Sequence, residues 1–567
     1  MAKPDTLFAQ LAKPSQPTQP SQTAQPPQLM QASWRNPVST LFQGPLTPAH
    51  HLGLLLLLII IAAAGSLMLG ADANWDLRNY HLYNPWALLE GRWRQDMGWN
   101  VQWFLNPLPQ LPYYALVSLW PDNLVPVTAL MGIPGALVAW AMLLLYRELG
   151  RLFSAPAWLL GIAWLASCTG AVTLGQLGTT FNDLAVTFIV LLGCLCILRG
   201  LREGDDRWWP ALGFFAFGAA MGLKITFALF VLGPAMAWLF TRPRFNALWP
   251  GALASTLGLL LVGGWWFALL QMRYDSPLFP FFNSLFESPW WAPIMERDPR
   301  FDPQGLMQWL FYPFYWWRAN VTVSEVPFAD GRISLGLLAA IAALWPWKGL
   351  AIQQRRILRF MGLLILFTYV IWLKQFAIYR YMLPLELLAP WLLLAVLAGM
   401  AQGRQGPKVP AALWGSGVAL FALLMLTTQP PNWGREPVSQ PSLIDITSPI
   451  DTENALVAVA QGDPPLNYLA LGLPTPSHFI SVNPLLHHDN MTGELARHFL
   501  DTTEQRYWVT PAPAEANGPH GWAACFGLQL QVEDCQPLQS SDPGVAQLLI
   551  CPLRTHPNPP PQAEVCQ

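Results

Sequence analysis

The chain has 567 residues, of which 53% are hydrophobic and only 11% are charged. Ordinary soluble domains carry about 25% charged residues, so a string of such domains is excluded. The 31 basic and 33 acidic residues leave a formal net charge of -2, which gives no electrostatic footprint for nucleic-acid binding. Long uncharged apolar stretches instead predict an all-α, multi-pass membrane protein.

The N-terminal residues 1–50 contain the sequence PSQPTQPSQTAQPPQ and no periodic apolar pattern. Pro and Gln at this density cannot bury a core, so we expect a disordered cytoplasmic tail. An apolar run then begins at Leu52 and is long enough to span a bilayer. Ten further stretches have the same character, which gives spans near 51–69, 124–146, 156–174, 183–198, 209–222, 225–240, 247–270, 333–347, 358–373, 382–400 and 410–427.

The stretch 209–240 could form one long helix or two short ones that break near Lys224. With two helices, every short loop on the N-terminal side of the membrane contains Lys or Arg, as cytoplasmic loops usually do. A single helix would move Arg242 and Arg244 to the other side and invert all later loops. We therefore expect eleven spans in a membrane domain at 51–427, in a bacterial inner membrane, with the N-terminus inside and the C-terminus outside.

This topology places three long segments on the outer face: a first loop at 71–123, a second loop at 271–332 and a C-terminal domain at 428–567. The two loops are rich in Trp, Tyr, Phe and Pro, which favours short helices lying at the membrane interface. Residues 428–567 contain 14 acidic and 4 basic residues, so this part is a separate acidic unit. Its strand-like and helix-like segments alternate and predict a small soluble α/β domain.

Four cysteines lie in the C-terminal domain, and an oxidising compartment would join them as two disulfides. Three pairings are possible among Cys525, Cys535, Cys551 and Cys566. Short loops favour Cys525–Cys535 with Cys551–Cys566. The nearby His487-His488-Asp489 could be read as a metal cluster, but adjacent histidines point in different directions on most backbones, so we do not expect one.

The first loop opens with a dense group of polar residues. Asp72 and Asp76 are four residues apart and would share one face of a helical turn. The residues that follow supply groups able to contact a sugar, by stacking or by hydrogen bonds: Arg78, Asn79, Tyr80 and His81. An interfacial belt with ordinary solvated charges is the alternative, but a membrane surface does not need so many polar types.

Other candidates lie at the predicted outer ends of later spans. Asp183 stands at a helix start, where an N-cap role is equally reasonable. Four basic residues near the outer face would make an anion site if they converged, although each alone could simply reach for lipid headgroups: Lys224, Arg273, Lys374 and Arg380. Tyr381 follows the last of these, and Glu386 lies inside span 10, where a carboxylate needs a partner or a water-filled cavity.

Two of these stretches carry a family resemblance. Trp-Asp-Leu-Arg-Asn-Tyr-His-x-Tyr at 75–83 and Arg-Tyr-Met-Leu-Pro-Leu-Glu at 380–386 resemble motifs of a poorly characterised bacterial branch of GT-C class glycosyltransferases. The layout of residues 50–427 is similar to that class as well. The resemblance implies a sugar donor linked to a polyprenyl phosphate and an acceptor hydroxyl on a glycan, lipid or protein at the outer face.

The resemblance also implies residue roles. An ionised carboxylate, for which we expect Asp76 before Asp72 or Asp183, would take the acceptor proton. The class often has Asp-x-Asp or Asp-Asp in its first loop, whereas this chain has Asp72-x-x-x-Asp76, so the need for a divalent metal stays open and no other cofactor is expected. A transporter or flippase for a lipid-linked substrate is the alternative function, and an assembly scaffold is a third.

Overall fold

The computed structural model of the protein describes residues 37–98, 100–205, 207–242, 245–402, 408–439, 445–460, 462–482, 490–514, 520–542, 544–545 and 547–557. In this part of the chain, six helices are long and apolar enough to cross a membrane: Pro48–Leu69, Leu124–Leu152, Asp183–Glu203, Trp249–Tyr274, Ile352–Gln375 and Tyr379–Gln402. Five shorter apolar helices are also present: Ala157–Cys168, Trp208–Leu223, Ile225–Thr241, Arg332–Ala343 and Ala411–Thr427. The helices follow the predicted apolar stretches, which confirms the predicted fold class.

The stretch 209–240 forms two helices rather than one. Trp208–Leu223 ends at Lys224, whose backbone is extended (φ -144°, ψ 111°), and a 3-10 turn at Ile225–Ala228 starts the next helix, Leu229–Thr241. The first helix packs closely on Phe245–Tyr274. A Cβ atom on Gly218 would lie 1.9 Å from the Ser255 carbonyl oxygen, so only a glycine allows this approach.

The prediction of disorder for residues 1–50 is wrong for the last part of this segment. Residues 1–36 lie outside the described residues. Pro37–Gln43 is a helix whose Phe42 is only 2% exposed and packs edge-on against Trp164, 6.5 Å between ring centroids. Arg147 donates to the carbonyls of Leu41 and Gly44, the latter at 2.7 Å. The buried Phe42 ring and the bonds from Arg147 to the last carbonyls of this helix therefore order the segment. The Pro- and Gln-rich composition of residues 1–50 gives no sign of this.

Both long loops are built from short helices. The first loop contains a π-helical turn at Leu77–His81, followed by Tyr83–Leu89, Arg92–Arg94, Val101–Phe104, Leu108–Gln110 and Leu111–Leu119. The second contains Asn283–Phe286 and Gly305–Tyr315. Large apolar side chains of Gly305–Tyr315 are exposed, among them Leu306 and Leu310. Such exposure is typical of a helix that lies in a membrane interface.

The C-terminal domain is built on one mixed sheet. We number the strands of the described chain in order: β1 Ala71–Asp72, β2 Met97–Gly98, β3 Arg435–Glu436, β4 Ile446–Thr447, β5 Leu456–Ala460, β6 His478–Val482, β7 Arg506–Pro511, β8 Leu528–Leu530, β9 Gln536–Ser540 and β10 Leu548–Thr555. The order across the sheet is β2-β6-β5-β7-β10-β9-β4, and β8 pairs separately with β10. The helix Met491–Thr502 and shorter helical turns complete an α/β unit, as predicted.

Two strands of the first loop pair with strands of the C-terminal domain. β2 pairs in parallel with β6 and extends the domain sheet, and β1 pairs antiparallel with β3. Asp96, next to β2, accepts a hydrogen bond from the Phe479 amide at 2.9 Å. The predicted boundary at 427 conceals this joint, because residues over 300 positions apart in sequence form it.

The predicted disulfide pairing is wrong. Cys535 is bonded to Cys551, and Cys525 is itself disulfide-bonded. The reason is strand register: β9 runs antiparallel to β10 with Gln536 opposite Ile550, so the preceding Cys535 meets Cys551. Loop length is a poor guide when a sheet already brings two cysteines together. Cys566 and the His487-His488-Asp489 cluster lie outside the described residues.

Candidate active site

The first part of the site is an ion pair between Asp76 of the first loop and Arg380, which precedes the helix Leu383–Gln402. Asp76 precedes the π-helical turn Leu77–His81, and the side chain of Asn74 accepts from the Leu77 amide at 2.7 Å to start that turn. Arg380 lies in the 3-10 turn that precedes the helix Leu383–Gln402. Its Nη1 donates to Asp76 Oδ2 at 2.7 Å, and both side chains are largely buried.

The second ion pair joins Asp183 to Lys224. Asp183 begins a helix, and Lys224 occupies the extended break between two helices. Lys224 donates to Asp183 Oδ1 and also to the Phe181 carbonyl at 3.0 Å. Gln176 donates to the other oxygen of Asp183 at 2.9 Å. A helix break therefore places a cation where two helix ends meet.

Aromatic rings bring the two pairs into one cluster. The Arg380 guanidinium carbon lies 4.8 Å from the centre of the Phe181 ring and 5.3 Å from that of Tyr381. The Lys224 ammonium lies 5.9 Å from the Tyr381 ring. The structure thus brings together Asp76, Asp183, Lys224 and Arg380, which come from four separate segments of the sequence.

Sequence reasoning missed a third carboxylate, Glu325 of the second loop. Its Oε1 lies 3.8 Å from Arg380 Nε, and that nitrogen has no hydrogen-bond partner among the described residues. The Glu325 side chain is 30% exposed, whereas the Asp183 side chain is fully buried. Glu325 is an ordinary loop residue in sequence, with no motif around it that could have singled it out.

His81 lies beside these pairs as a neutral ring. Its Nδ1 is 2.7 Å from the Thr180 hydroxyl, and the side chain is buried. Burial lowers the pKa of His81 to about 3, and the nearby Asp76 carboxylate opposes this shift without reversing it. His81 is therefore uncharged at neutral pH and offers a hydrogen bond rather than a positive charge.

Asp72 has a different place from Asp76. Its oxygens accept from the Thr180 amide at 2.8 Å, the Thr180 hydroxyl at 2.7 Å and the Asn74 side chain at 2.8 Å. Burial raises the pKa of Asp72, and Arg435 only partly offsets it. Both oxygens are occupied, so this carboxylate ties the first loop to the turn before Asp183.

Asp76 keeps one oxygen available. Arg380 binds Oδ2, and Oδ1 has no hydrogen-bond partner among the described residues, whereas both oxygens of Asp72 and of Asp183 are bonded. Burial would raise the pKa of Asp76, but the charge and hydrogen bond of Arg380, together with the charge of Lys224, lower it below the ordinary value. Asp76 is thus ionised at neutral pH with a lone pair to spare.

A cleft adjoins the cluster. The space between its lining side chains amounts to about 570 Å³ and is partly open to solvent, and its polar lining includes Lys224, His81, Asn182 and Tyr80. Apolar side chains such as Phe104 and Trp266 form the rest. Burial, then the charge of Asp76, raises the pKa of Tyr80, so its hydroxyl stays protonated. We call this space the active-site cleft.

Two residues that were predicted to contact a sugar bind the C-terminal domain in this structure. Arg78 binds Asp542 through two bonds of 2.7 Å, and it also donates to the Ala73 carbonyl. The Asn79 side-chain oxygen accepts from Asn467 at 2.7 Å. Both lie in the motif at 75–83, so the motif serves docking as well as the site.

Three further candidates lie apart from the cluster. Glu386 is buried and accepts from the Thr173 hydroxyl at 2.7 Å and from the amides of Val172 and Thr173. This is a structural joint between helices, one of the two interpretations expected. Arg273 stacks at 5.5 Å on Trp290 in a different cleft, and Lys374 is exposed in the last turn of its helix.

The donor set does not favour a metal at this site. Among the described residues, no group of three or more His, Cys, Asp and Glu side chains is arranged to hold an ion. The oxygens of Asp72 and Asp183 are already occupied by hydrogen-bond donors. We therefore derive no step through a metal.

The chain is similar to known proteins in two comparisons. Residues 127–266, which include Asp183 and Lys224, match the family described as dolichyl-phosphate-mannose-protein mannosyltransferase. A solved structure, ArnT from Cupriavidus metallidurans bound to undecaprenyl phosphate, is similar with 14% sequence identity and a TM-score of 0.49, covering 89% of this chain and 98% of that one. No curated protein sequence matches the chain. The matched segment covers about a quarter of the chain, and the family that it matches belongs to the GT-C class, which the two motifs also resemble.

Proposed function

We propose that the protein moves a sugar from a polyprenyl-phosphate donor to an acceptor hydroxyl at the outer face of the membrane, with Asp76 as general base. The observation that carries this proposal is that Asp76 Oδ1 has no hydrogen-bond partner among the described residues, whereas both oxygens of Asp72 and of Asp183 are bonded. The matched family is named for dolichyl-phosphate mannose, which supports a donor of this chemical class.

The geometry around Asp76 supports its role as the base. The acceptor oxygen attacks the anomeric carbon, the bond from that carbon to the phosphate oxygen breaks, and the electron pair leaves with the phosphate. The acceptor proton passes to Asp76 Oδ1. Arg380 on Oδ2 holds the carboxylate in place, and the lowered pKa keeps it ionised. Such a weak base acts late, once the attacking hydroxyl has become acidic. In-line attack inverts the anomeric centre.

The leaving phosphate is assigned to Arg380 and Lys224. Arg380 has an unbonded Nε, and the contact of Glu325 with it is long and partly exposed. A donor phosphate that displaces Glu325 gains a charge-assisted bond to the guanidinium. Lys224 lines the active-site cleft and stabilises the charge that grows on the phosphate as the bond breaks.

A transporter is the weaker alternative. Transporters hold their substrate near the middle of the membrane, on broken helices related by a repeat. Here Asp76 and Asp183 lie at helix starts, and the loop that supplies Asp76 pairs with the C-terminal domain. The charges are thus grouped beside the soluble domain, where an acceptor arrives from water.

The orientation belongs to the same proposal: an inner membrane, with the C-terminal domain outside. Cysteines placed at Ser439 and Gln353, both exposed, test it in intact cells. A membrane-impermeant maleimide should label the first and not the second. Labelling in the reverse order would invert the topology and remove the donor face from the proposed site.

The catalytic test uses purified protein in lipid nanodiscs and a synthetic polyprenyl-phosphate sugar, with phosphate release and sugar transfer both measured. Asp76→Asn keeps size and one hydrogen bond but cannot take the proton. Its turnover should fall about 100-fold to 10,000-fold. Asp501→Asn, an exposed carboxylate of the C-terminal domain, is the matched control and should behave as the parent.

Arg380→Lys keeps the charge but loses the planar fork, so it should raise the donor KM, and Arg380→Ala should raise it further. Parental turnover in Asp76→Asn would remove this residue as the base. No turnover of any lipid-linked sugar by the parent, together with movement of such a lipid across liposomes, would replace the enzyme by a flippase.

A further inference from the structure

A second cleft lies next to the active-site cleft. The space between its lining side chains amounts to about 760 Å³ and is partly open to solvent. Its walls come from the first loop, from the end of the helix Phe245–Tyr274, from Trp290 in the second loop and from the C-terminal domain helix Met491–Thr502. Phe104, Trp266 and Leu270 line both clefts, so they form the wall between them. We call this space the aromatic cleft.

Aromatic rings dominate its lining. Tyr83 stacks on Trp103 with their ring centres 3.9 Å apart, and Trp290 packs edge-on against Tyr274 at 5.7 Å. Trp93 is partly exposed at the same cleft. Flat rings held rigidly by one another present faces for stacking at little entropic cost, and the apolar face of a sugar ring is such a partner.

The polar groups of the cleft discriminate between possible occupants. Asn84 Oδ1 and Trp103 Nε1 are buried and have no hydrogen-bond partner among the described residues. One is an acceptor and the other a donor. A lipid chain would leave both groups without a hydrogen bond, which is unfavourable for buried polar atoms. A sugar hydroxyl both donates and accepts, so it can satisfy either group.

The cleft also contains a cationic side chain, Arg273, which stacks on Trp290. The Arg273 guanidinium lies 5.5 Å from the Trp290 ring, where its edge remains able to bind a hydroxyl. Asp96 also lines the cleft, but its oxygens are bonded to Arg92, to the Tyr83 hydroxyl at 2.9 Å and to the Phe479 amide. The available polar groups are therefore neutral or stacked, which suits a neutral saccharide better than a phosphate.

We infer that the aromatic cleft binds the saccharide part of the acceptor, so that the acceptor is a glycan or glycolipid rather than a protein. This rests on the proposed function for its place in the reaction. One wall, with Thr492 and Leu495, belongs to the soluble domain, so a glycan reaches the cleft from water while the lipid-linked donor stays in the membrane. The shared wall at Phe104 puts the bound saccharide one side chain from the active-site cleft.

The test measures saccharide binding without any donor. Maltotetraose, mannotetraose and tetra-N-acetylchitotetraose are added in turn to the parent protein in lipid nanodiscs, and binding is read by saturation-transfer NMR. Nanodiscs avoid detergents with sugar headgroups. At least one of the three should bind, and Trp290→Ala should weaken that binding about tenfold. Trp290→Phe keeps a ring and should stay within about threefold of the parent.

Two controls separate this cleft from its neighbours. Trp208→Ala removes a ring that is 79% exposed on another helix and should leave binding unchanged. Lys224→Ala alters the active-site cleft and should also leave saccharide binding unchanged. Binding of none of the three saccharides, or equal binding by Trp290→Ala, overturns the inference.

The proposed function and the saccharide-binding inference can fail independently of each other. Asp76-dependent turnover of the lipid-linked sugar without saccharide binding would leave the proposed reaction standing and remove the aromatic cleft from it. Saccharide binding without any turnover would retain the cleft as a glycan site and remove the reaction.

Discussion

The ion pair between Arg78 and Asp542 connects the first loop to the C-terminal domain, and its loss should loosen this loop, which carries Asp76. The Arg78 side chain is 9% exposed and that of Asp542 is fully buried. Asp542→Ala leaves the guanidinium buried with the Ala73 carbonyl as its remaining partner. Removing one partner of a buried pair costs about 3–5 kcal/mol, because the other charge stays behind without compensation.

Hydrogen exchange of the first loop measures this cost locally. If the lost free energy appears as easier opening of residues 71–84, about 3–5 kcal/mol corresponds to hydrogen exchange about 100-fold to 4,000-fold faster. Asp534→Ala is the matched control, because its pair with Arg554 is exposed and worth at most about 1 kcal/mol. Its exchange should equal that of the parent.

A double substitution tests the cause. Arg78→Met with Asp542→Leu removes both charges, and paired apolar replacements are often neutral or stabilising. Exchange in residues 71–84 should return most of the way to the parental rate. Equal exchange in Asp542→Ala and Asp534→Ala, or no recovery in the double variant, would refute the idea that this pair holds the loop.

Three further outcomes follow from the site and the domain. Glu325→Gln removes the carboxylate that competes with the donor phosphate for Arg380, so the donor KM should fall, and a raised KM would mean that Glu325 positions the arginine instead. The pKa of Asp76 lies below its ordinary value, so its charge is nearly complete above about pH 5 and is lost as the pH falls through the lowered pKa; kcat/KM should therefore be level on the acid side between pH 5 and 8. An acid limb near pH 6.5 would contradict a neutral His81. Non-reducing mass mapping should recover Cys535 joined to Cys551, and any other partner for Cys535 would contradict the register of β9 and β10.

The membrane part of this fold could be predicted well because bilayer spans need long apolar stretches, which a sequence displays directly. The break at Lys224 was predictable too, since the alternation of basic loops requires two helices there. The topology alone also led us to expect Lys224 and Arg380 in one cluster, because both were placed at the ends of spans on the same membrane face. Glu325 carried no local signal, and its role depends on where the second loop folds back.

The C-terminal domain was harder for a physical reason. Arg78 and Asp542 are 464 residues apart, and nothing in the motif at 75–83 tells a sugar-binding arginine from a docking one. The same holds for Asn79, because an amide side chain can bind a sugar or dock a domain equally well. The cysteine pairing followed strand register rather than loop length, and register is invisible until the sheet order is known.

The shared sheet has a consequence for the order in which the enzyme is made. β2 and Arg78 leave the ribosome early, while their partners β6 and Asp542 follow some 380 to 470 residues later. At about 5–20 residues per second, the first loop waits roughly 20–90 s for the strand and the carboxylate that complete it. Late in that interval the membrane helices have been made, but the first loop still lacks these two partners. We therefore expect a chain that stops before the C-terminal domain to leave the first loop, and Asp76 within it, without the contacts that hold them.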